Sequence, residues 1–188
     1  MLPPVIETAR LILRPVELSD APAHNKCMKD WEIVRNFAKS FPHPYADDGS
    51  EKFINHIKSQ DKVVYWAIAL KSAPDEMIGS IELRPHAEKG QRAFWLARAH
   101  HNNGYVTEAA TAVNDYWFDV MGRDTLHMEN ALGNIASRRI KEKTGAVFLG
   151  TRVSEHVDPA LGQSEEWLLK KEDWHRFRAQ QRSAQKPA

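Results

Sequence analysis

Three features that would mark a specialised class of protein are missing from this chain of 188 residues. Cys27 is the only cysteine, so no disulfide can form within the chain, and we expect a reducing compartment, the cytoplasm. No apolar run approaches the roughly 20 residues of a membrane span, and the N-terminal stretch does not read as a secretory signal. Lys plus Arg number 26 against 25 Asp plus Glu, which argues against a dedicated nucleic-acid binder.

What remains is the composition of one globular domain. With 42% hydrophobic residues, a chain of this length buries roughly 70% of its unfolded surface. No repeat or linker divides it, so we expect a single domain over residues 1–182 and a disordered tail over 183–188. The nine histidines show no metal-ligand spacing. The rings of His100 and His101 should diverge in an extended turn, so no metal site is expected.

The hydrophobic pattern predicts an α+β fold. Strands are expected over 10–16, 63–70, 77–85, 93–99, 125–129 and within 146–171, and helices over 21–30, 46–60, 105–121 and 134–144. The segment 72–76 is expected to be a turn. Three successive strands joined by short turns indicate an antiparallel meander, whereas the strand–helix–strand unit after residue 93 needs a right-handed crossover if its strands are parallel.

The stretch from His101 to Val113, HNNGYVTEAATAV, leads from a loop into an alanine-rich helix with very little side chain at the junction. Gly104 permits a positive φ, and the start of a helix presents unpaired backbone N–H groups and partial positive charge. Such a terminus binds anions, phosphates above all. Many junctions of this kind bind nothing, so the stretch alone leaves both readings open.

The surrounding sequence resembles the acetyl-coenzyme A-binding core of the GNAT acetyltransferases, most of all the branch that acetylates the N-termini of ribosomal proteins (RimJ/RimL). The phosphate loop of that family matches His101, Asn102, Asn103, Gly104, Tyr105 and Val106, followed by Thr107, Glu108 and Ala109. NIASRRIKEKTGA matches the Asn–x–x–Ser helix of the family. ETARLILRP, PHPY and IGSIELR match its opening strand, acceptor-side loop and third strand. The resemblance runs from Glu7 to about Trp174.

This resemblance implies the GNAT fold, a mixed and mostly antiparallel central sheet of about seven strands flanked by about four helices. It also implies acetyl-CoA as co-substrate, direct attack of an amine on the thioester, and no metal. The residues implied to bind the coenzyme are Leu96, Ala97, Ala99, Asn102, Asn103, Gly104, Tyr105, Val106, Thr107, Asn134 and Ser137. A backbone N–H between Leu96 and Ala99 would polarise the thioester carbonyl. Asn134 would hold the pantetheine arm or cap its helix, and Ser137 would hydrogen-bond or protonate the thiolate, or face solvent.

Departures from the family pattern concern the loop and the general base. His101 stands where Gln or Arg is usual, and Val106 replaces a small residue. Gln91 lies near a position where many relatives carry Glu. Glu82, and Glu155 or His156, are the remaining candidates for the base, with surface charges as the alternative. The basic run Arg138, Arg139, Lys141 and Lys143 is expected to be a solvated helix face.

We therefore expect a cytoplasmic N-acetyltransferase, monomeric or homodimeric, that acts on a primary amine and contacts neither nucleic acid nor membrane. With no base that can be placed, an α-amine is favoured over a lysine ε-amine as acceptor. Two alternatives stay open: a transferase for small amines such as polyamines or antibiotics, and a catalytically silent sensor of coenzyme A.

Overall fold

The computed structural model describes residues 3–184 and contains two antiparallel sheets. The larger sheet has the order β1-β2-β3-β4-β5. Its strands are β1 (Ile6–Glu7), β2 (Leu11–Pro15), β3 (Val64–Leu70), β4 (Ala73–Leu83) and β5 (Arg92–Leu96). The smaller sheet has the order β6-β8-β7, from β6 (Thr125–Ala131), β7 (Val147–Val153) and β8 (Gln163–Lys170).

Six α-helices of residues 3–184 surround these sheets. Three precede the third strand: α1 (Ala21–Met28), α2 (Trp31–Val34) and α3 (Gly49–Ser59). The other three are α4 (Tyr105–Asp115), which continues as a π-helical turn over Tyr116–Val120, α5 (Ile135–Lys143) and α6 (Lys171–Ala184). In this part of the chain, no helix combines the length and apolar character that crossing a membrane requires.

Apolar side chains fill both faces of the larger sheet. On one face Trp66, Ile68 and Ile81 pack with residues of α4 and α6, such as Val113 and Trp174. On the other face Tyr65, Ala67 and Trp95 pack with residues of α1 and α3. The alternation of strand side chains between two faces produces this division, so the sheet separates two cores.

The two sheets meet at β5 and β6, and they are joined closely at one end only. The Gln91 N–H donates to His127 O at 2.8 Å, and the Gln91 Oε1 accepts from the His127 N–H at 2.7 Å. Farther along, Phe94 to Leu96 of β5 and Glu129 to Ala131 of β6 line one common cavity. The strands therefore run in the same direction and splay apart, and we call the space between them the β5–β6 cleft.

The expected α+β class is confirmed, but residues 3–184 form eight strands in two sheets and six α-helices, where one central sheet of about seven strands with about four helices was expected. The segment 72–76 was expected to be a turn, but Ala73 to Glu76 extend β4, whose pairing with β3 is irregular between Ile68 and Leu70. The helix α6 was not predicted. It includes Ser183, which had been assigned to the disordered tail, while residues 185–188 lie outside the described residues.

Candidate active site

A cavity of about 1450 Å³ passes through the β5–β6 cleft. On the helix side it is lined by Gly104, Thr107 and Ser137, and on the opposite side by Tyr45 and Tyr65. It therefore opens toward both faces of the larger sheet at the point where the strands separate. Two molecules that approach from opposite faces could meet in the cleft.

The loop before α4 adopts the backbone conformation that an anion-binding turn requires. Asn102 has φ 63° and Gly104 has φ 76°, and Asn is one of the few side chains that tolerates this left-handed region. The Asn103 Nδ2 donates to the carbonyl oxygens of His100 and His101, at 3.2 and 3.0 Å, which holds the loop in shape. Gly104 is the N-cap of α4 and no side chain caps the helix. The N–H groups of its first turn are left for a ligand.

A cation lies beside this loop. Arg10 Nη2 is 3.6 Å from the position that a Cβ on Gly104 would take, and the guanidinium stacks on Tyr105 at 4.6 Å from the ring centroid. Its Nε donates to Glu108 Oε2 at 2.7 Å, while Thr8 Oγ1 donates to Glu108 Oε1 at 2.6 Å. Burial raises the pKa of Glu108, but these hydrogen bonds outweigh it and lower the pKa. Glu108 thus stays ionised and fixes Arg10 near the loop.

Strand alternation decides which backbone groups of β5 face the cleft. Gln91 O accepts from the Arg84 N–H, and the Ala97 N–H donates to Ile78 O, both at 2.8 Å. Hydrogen-bonded pairs alternate along an antiparallel ladder, so the N–H groups of Phe94 and Leu96 point away from β4 and toward β6. Leu96 O accepts from His101 Nε2–H at 2.9 Å. The Leu96 N–H, like that of Phe94, is a backbone donor that faces the cleft.

Three of the residues expected to bind the coenzyme do not line the cavity. The Ala97 N–H is consumed by Ile78, and Ala99 lies in a 3-10 turn over Arg98–His100. Neither alanine lines the cavity, and the side chain of Asn103 turns back onto its own loop. The other expected residues line it: Leu96, Asn102, Gly104, Tyr105, Val106, Thr107, Asn134 and Ser137.

The helix α5 presents Ser137 to the cavity. Asn134 is the N-cap and its Oδ1 accepts from the Ser137 N–H at 3.1 Å, as the capping interpretation predicts. Ser137 is buried and lines the cavity. Its Oγ lies 2.8 Å from Lys141 Nζ. The expectation of a solvated basic face is wrong for Lys141, whose exposure is 1%, because the i,i+4 spacing turns it inward beneath Ser137.

A second buried cation accompanies Lys141. Arg92 is 3% exposed and donates from Nη1 to Asn114 Oδ1 at 2.5 Å, whereas its Nε and Nη2 have no partner within the described residues. Burial lowers the pKa of Arg92 to about 10. Burial, and then the positive charge of Arg92, hold the pKa of Lys141 well below its usual value. Two basic side chains therefore lie together beneath the cleft, and burial disfavours the charged form of each.

The candidate bases are less accessible than a free carboxylate or imidazole. Glu82 is buried and lines the cavity, but it is paired with Arg84. His156 is also buried; its Nδ1–H donates to Leu161 O at 2.6 Å, and its Nε2 accepts from Ser164 Oγ at 3.2 Å. Both nitrogens are thus engaged. Glu155 is exposed and forms an ion pair with Lys39. Of the three candidates, only Glu155 therefore matches the alternative expectation of a surface charge.

Gln91 joins the two sheets. In addition to its two bonds with His127, its Nε2 donates to Ala87 O at 2.9 Å. A carboxylate has no N–H with which to make this last bond. Gln91 therefore acts as a connector of β5 and β6.

An aromatic cluster on the far side of the cleft was not found by sequence reasoning. His24 is 2% exposed, stacks on Phe53 at 5.1 Å and meets Trp95 edge-on at 5.4 Å. Its Nδ1 lies 2.8 Å from Ser50 Oγ, and burial lowers its pKa to about 4. No local motif reveals this cluster, because its members come from different elements; only the aromatic content of FPHPY and the first helices gave a signal.

Comparison with known proteins agrees with this geometry. The model of the "Acetyltransferase (GNAT) domain" family matches residues 10–147. This match spans most of the chain, and the protein belongs to the GNAT acetyltransferases, enzymes that use acetyl-CoA.

Individual relatives share the fold at low identity. The "Uncharacterized N-acetyltransferase YoaA" of Bacillus subtilis is 27% identical over 151 residues, which cover 76% of this chain and 82% of the relative. Mycobacterium smegmatis RimJ, solved with CoA-disulfide, is similar with TM-score 0.76 at 17% identity, covering 92% and 90% of the two chains. Vibrio cholerae spermidine N-acetyltransferase, solved with CoA and spermine, gives TM-score 0.75 at 17% identity over 89% and 99%. At these identities the two structures support the fold alone.

Proposed function

We propose that this enzyme transfers an acetyl group from acetyl-CoA to the α-amine of a peptide or small amino compound, in the manner of the RimJ/RimL branch. The single observation that carries the proposal is the β5–β6 cleft, with an uncapped helix N-terminus on one side and an aromatic cluster on the other. The cleft would bring coenzyme and amine together from opposite faces of the sheet. The single cysteine supports a cytoplasmic location, where acetyl-CoA is available.

The loop from Asn102 to Thr107 fits the pyrophosphate of coenzyme A. The positive φ values at Asn102 and Gly104 turn backbone N–H groups toward one point, and the absent Cβ at Gly104 leaves room for close approach. Arg10, held by its ion pair with Glu108, places a guanidinium beside the loop. We assign Asn134 and Leu96 to the pantetheine arm and thioester, with the Leu96 N–H as donor to the carbonyl oxygen.

The acceptor follows from the scarcity of a free base. Glu82 is paired, His156 has both nitrogens engaged, and Gln91 joins the sheets. An α-amino group, with a pKa of ~7.8, is neutral in about one molecule in seven at pH 7, whereas a lysine ε-amine, at ~10.4, is neutral in only about four molecules in ten thousand. The difference amounts to roughly 3.5 kcal/mol that the enzyme would have to supply for lysine. We therefore propose an α-amine.

The test is release of free thiol from acetyl-CoA in the presence of a panel of amines. The panel contains a peptide with only a free α-amine, its acetyl-capped counterpart with one lysine, and spermidine, each from pH 6 to 9. We expect kcat/KM at pH 7 to be at least tenfold higher for the α-amine peptide. Preference for lysine or spermidine would refute the acceptor assignment. Coenzyme binding without transfer to any amine would refute the enzymatic function in favour of a sensor.

A further inference from the structure

Ser137 by itself is a poor proton donor for the reaction proposed above. When the thioester breaks, the sulfur leaves as a thiolate, whose conjugate thiol has a pKa of about 8.5. A serine hydroxyl is a much weaker acid and takes part in proton transfer in enzymes when an adjacent group supplies or removes the proton. A second proton-bearing group must therefore lie behind Ser137.

Lys141 is in this position. Its Nζ is 2.8 Å from Ser137 Oγ and 3.5 Å from Ser137 O, one helical turn farther along α5. Ser137 lines the cavity, whereas Lys141 does not. A hydrogen-bonded chain thus leads from the cleft through the hydroxyl to an amine that is buried beneath it.

The charges around Lys141 make its ammonium an effective donor. Arg92 on β5 repels it, while Glu129 on β6 and Glu165 on β8 attract it from a distance. Both Glu165 oxygens are already engaged: Oε2 accepts from Asn130 Nδ2 at 3.0 Å, and Oε1 accepts from Arg138 Nη1 at 3.2 Å. Within residues 3–184, no carboxylate lies within ion-pair distance of Lys141 Nζ. A cation that burial and Arg92 disfavour loses its proton readily.

We propose that Lys141 is the proton source for the leaving thiolate and acts through Ser137. As the carbon–sulfur bond breaks and sulfur takes the electron pair, the Ser137 hydroxyl gives its proton to sulfur and receives one from the Lys141 ammonium. The amine nitrogen loses one proton to solvent as the amide forms. After the thiol departs, the neutral Lys141 regains a proton from solvent through Ser137, so protons and charge balance over one cycle. The step rests on the proposed acetyl transfer, in which Lys141 is a positioning residue.

Variants at both positions test the relay. In Lys141→Met the amine is absent, the chain length is similar, and a buried charge is removed, so we expect the protein to fold. Its kcat should fall about tenfold to a hundredfold, with KM for acetyl-CoA within about twofold of wild type. Ser137→Ala and the double variant should lose a similar factor, since the two residues act in one chain. Lys170→Met, an exposed lysine outside the cleft, is the control and should keep wild-type kcat.

The pH profile separates a relay from a packing role. In wild type, kcat should decline as pH rises through the pKa of Lys141 in the complex, because only the ammonium donates. In Lys141→Met this falling limb should disappear. A kcat within about twofold of wild type, an unchanged falling limb, or additive losses in the double variant would overturn the proposal.

A binding measurement keeps the relay testable if no amine is acetylated. The ¹⁵Nζ resonance of Lys141, identified by its loss in Lys141→Met, should shift when coenzyme A binds to wild type and should shift much less in Ser137→Ala. An unchanged Lys141 resonance in a protein that binds coenzyme A would overturn the relay. If the resonance shifts but no amine is acetylated, the proposed function is refuted. The contact of the coenzyme thiol with Ser137 and Lys141 would still be supported.

Discussion

Two arginines of the larger sheet are held in opposite ways. Arg14 on β2 donates from Nη1 and Nη2 to the two oxygens of Asp20, each at 2.8 Å, and this pair raises the pKa of Arg14. Arg92 on β5 is fully enclosed, with Asn114 as its one acceptor and two nitrogens that lack a partner in the described residues. Burial lowers its pKa to about 10.

The difference separates a paired arginine that holds the fold from an unpaired arginine that lines the cavity. Asp20 also accepts from the Glu17 N–H at 2.8 Å, so the Arg14–Asp20 pair fixes the chain where β2 leads into α1. Lowering the pKa of Arg92 to about 10 corresponds to a cost of about 3 kcal/mol against folding at neutral pH, and no carboxylate among residues 3–184 pairs with Arg92 to offset it. Perturbed pKa values cluster at functional sites, and Arg92 combines a lowered pKa with a place in the cavity lining.

The largest expected effect is at the paired arginine. In Asp20→Ala the Arg14 guanidinium and the Glu17 N–H lose their acceptor, so the free energy of unfolding should fall by about 3–5 kcal/mol. Urea denaturation measures it. Lys52→Ala is the comparison, because Lys52 of α3 forms an exposed ion pair with Asp48. Its removal should lower the free energy of unfolding by less than about 1 kcal/mol. A loss below about 1 kcal/mol for Asp20→Ala would mean that Arg14 is not stabilised by pairing.

The second effect concerns the cleft. Gly104→Asp would place a carboxylate beside Arg10, as Asp20 lies beside Arg14. The carboxylate would face Arg10 and the N–H groups of α4, so the fold should be retained while coenzyme A is repelled. We expect affinity to fall at least a hundredfold, about 2.7 kcal/mol, by titration calorimetry. Gly104→Asn, equal in size and in tolerance of positive φ, should lose distinctly less. Equal losses would show that bulk, not charge, decides.

The smallest effect is expected at Arg92. Arg92→Met removes a buried charge and relieves its repulsion of Lys141, but it leaves Asn114 Oδ1 without a donor. These terms oppose each other, so the free energy of unfolding should stay within about 1 kcal/mol of wild type or rise. A loss like that of Asp20→Ala would show that Arg92 stabilises the fold and would end the contrast between the two arginines.

The sequence is sufficient for the class of fold and for the backbone turn before α4 because both depend on local patterns. The period of apolar residues indicates β3, α4 and α5, and the Asn–Asn–Gly run indicates the turn of positive φ. The Asn134 cap was visible from its spacing to Ser137. Each of these features is decided by residues a few positions apart.

Features that depend on distant partners were missed. The last helix, α6, is polar on most positions, and it is held by Trp174, which packs in the core against α4. Lys141 is buried because α5 packs this side chain toward Phe94 of β5. The basic run in the sequence does not show which of its residues faces the interior. The irregular pairing of β3 with β4 likewise lets 73–76 continue as a strand where Pro and Asp suggest a turn.

Gln91 determines the shape of the β5–β6 cleft. Since β5 and β6 are fixed together at Gln91 and diverge from there, the gap between them widens along the strands. Each residue of β5 adds about 3.3 Å to the distance from Gln91. A gap of this shape has more room for the thicker parts of a molecule far from Gln91 than near it. The number of residues between Gln91 and Leu96 therefore sets how far the Leu96 N–H lies from the closed end of the cleft, and two residues inserted between them would move this N–H outward by about 6.6 Å while keeping the alternation of β5.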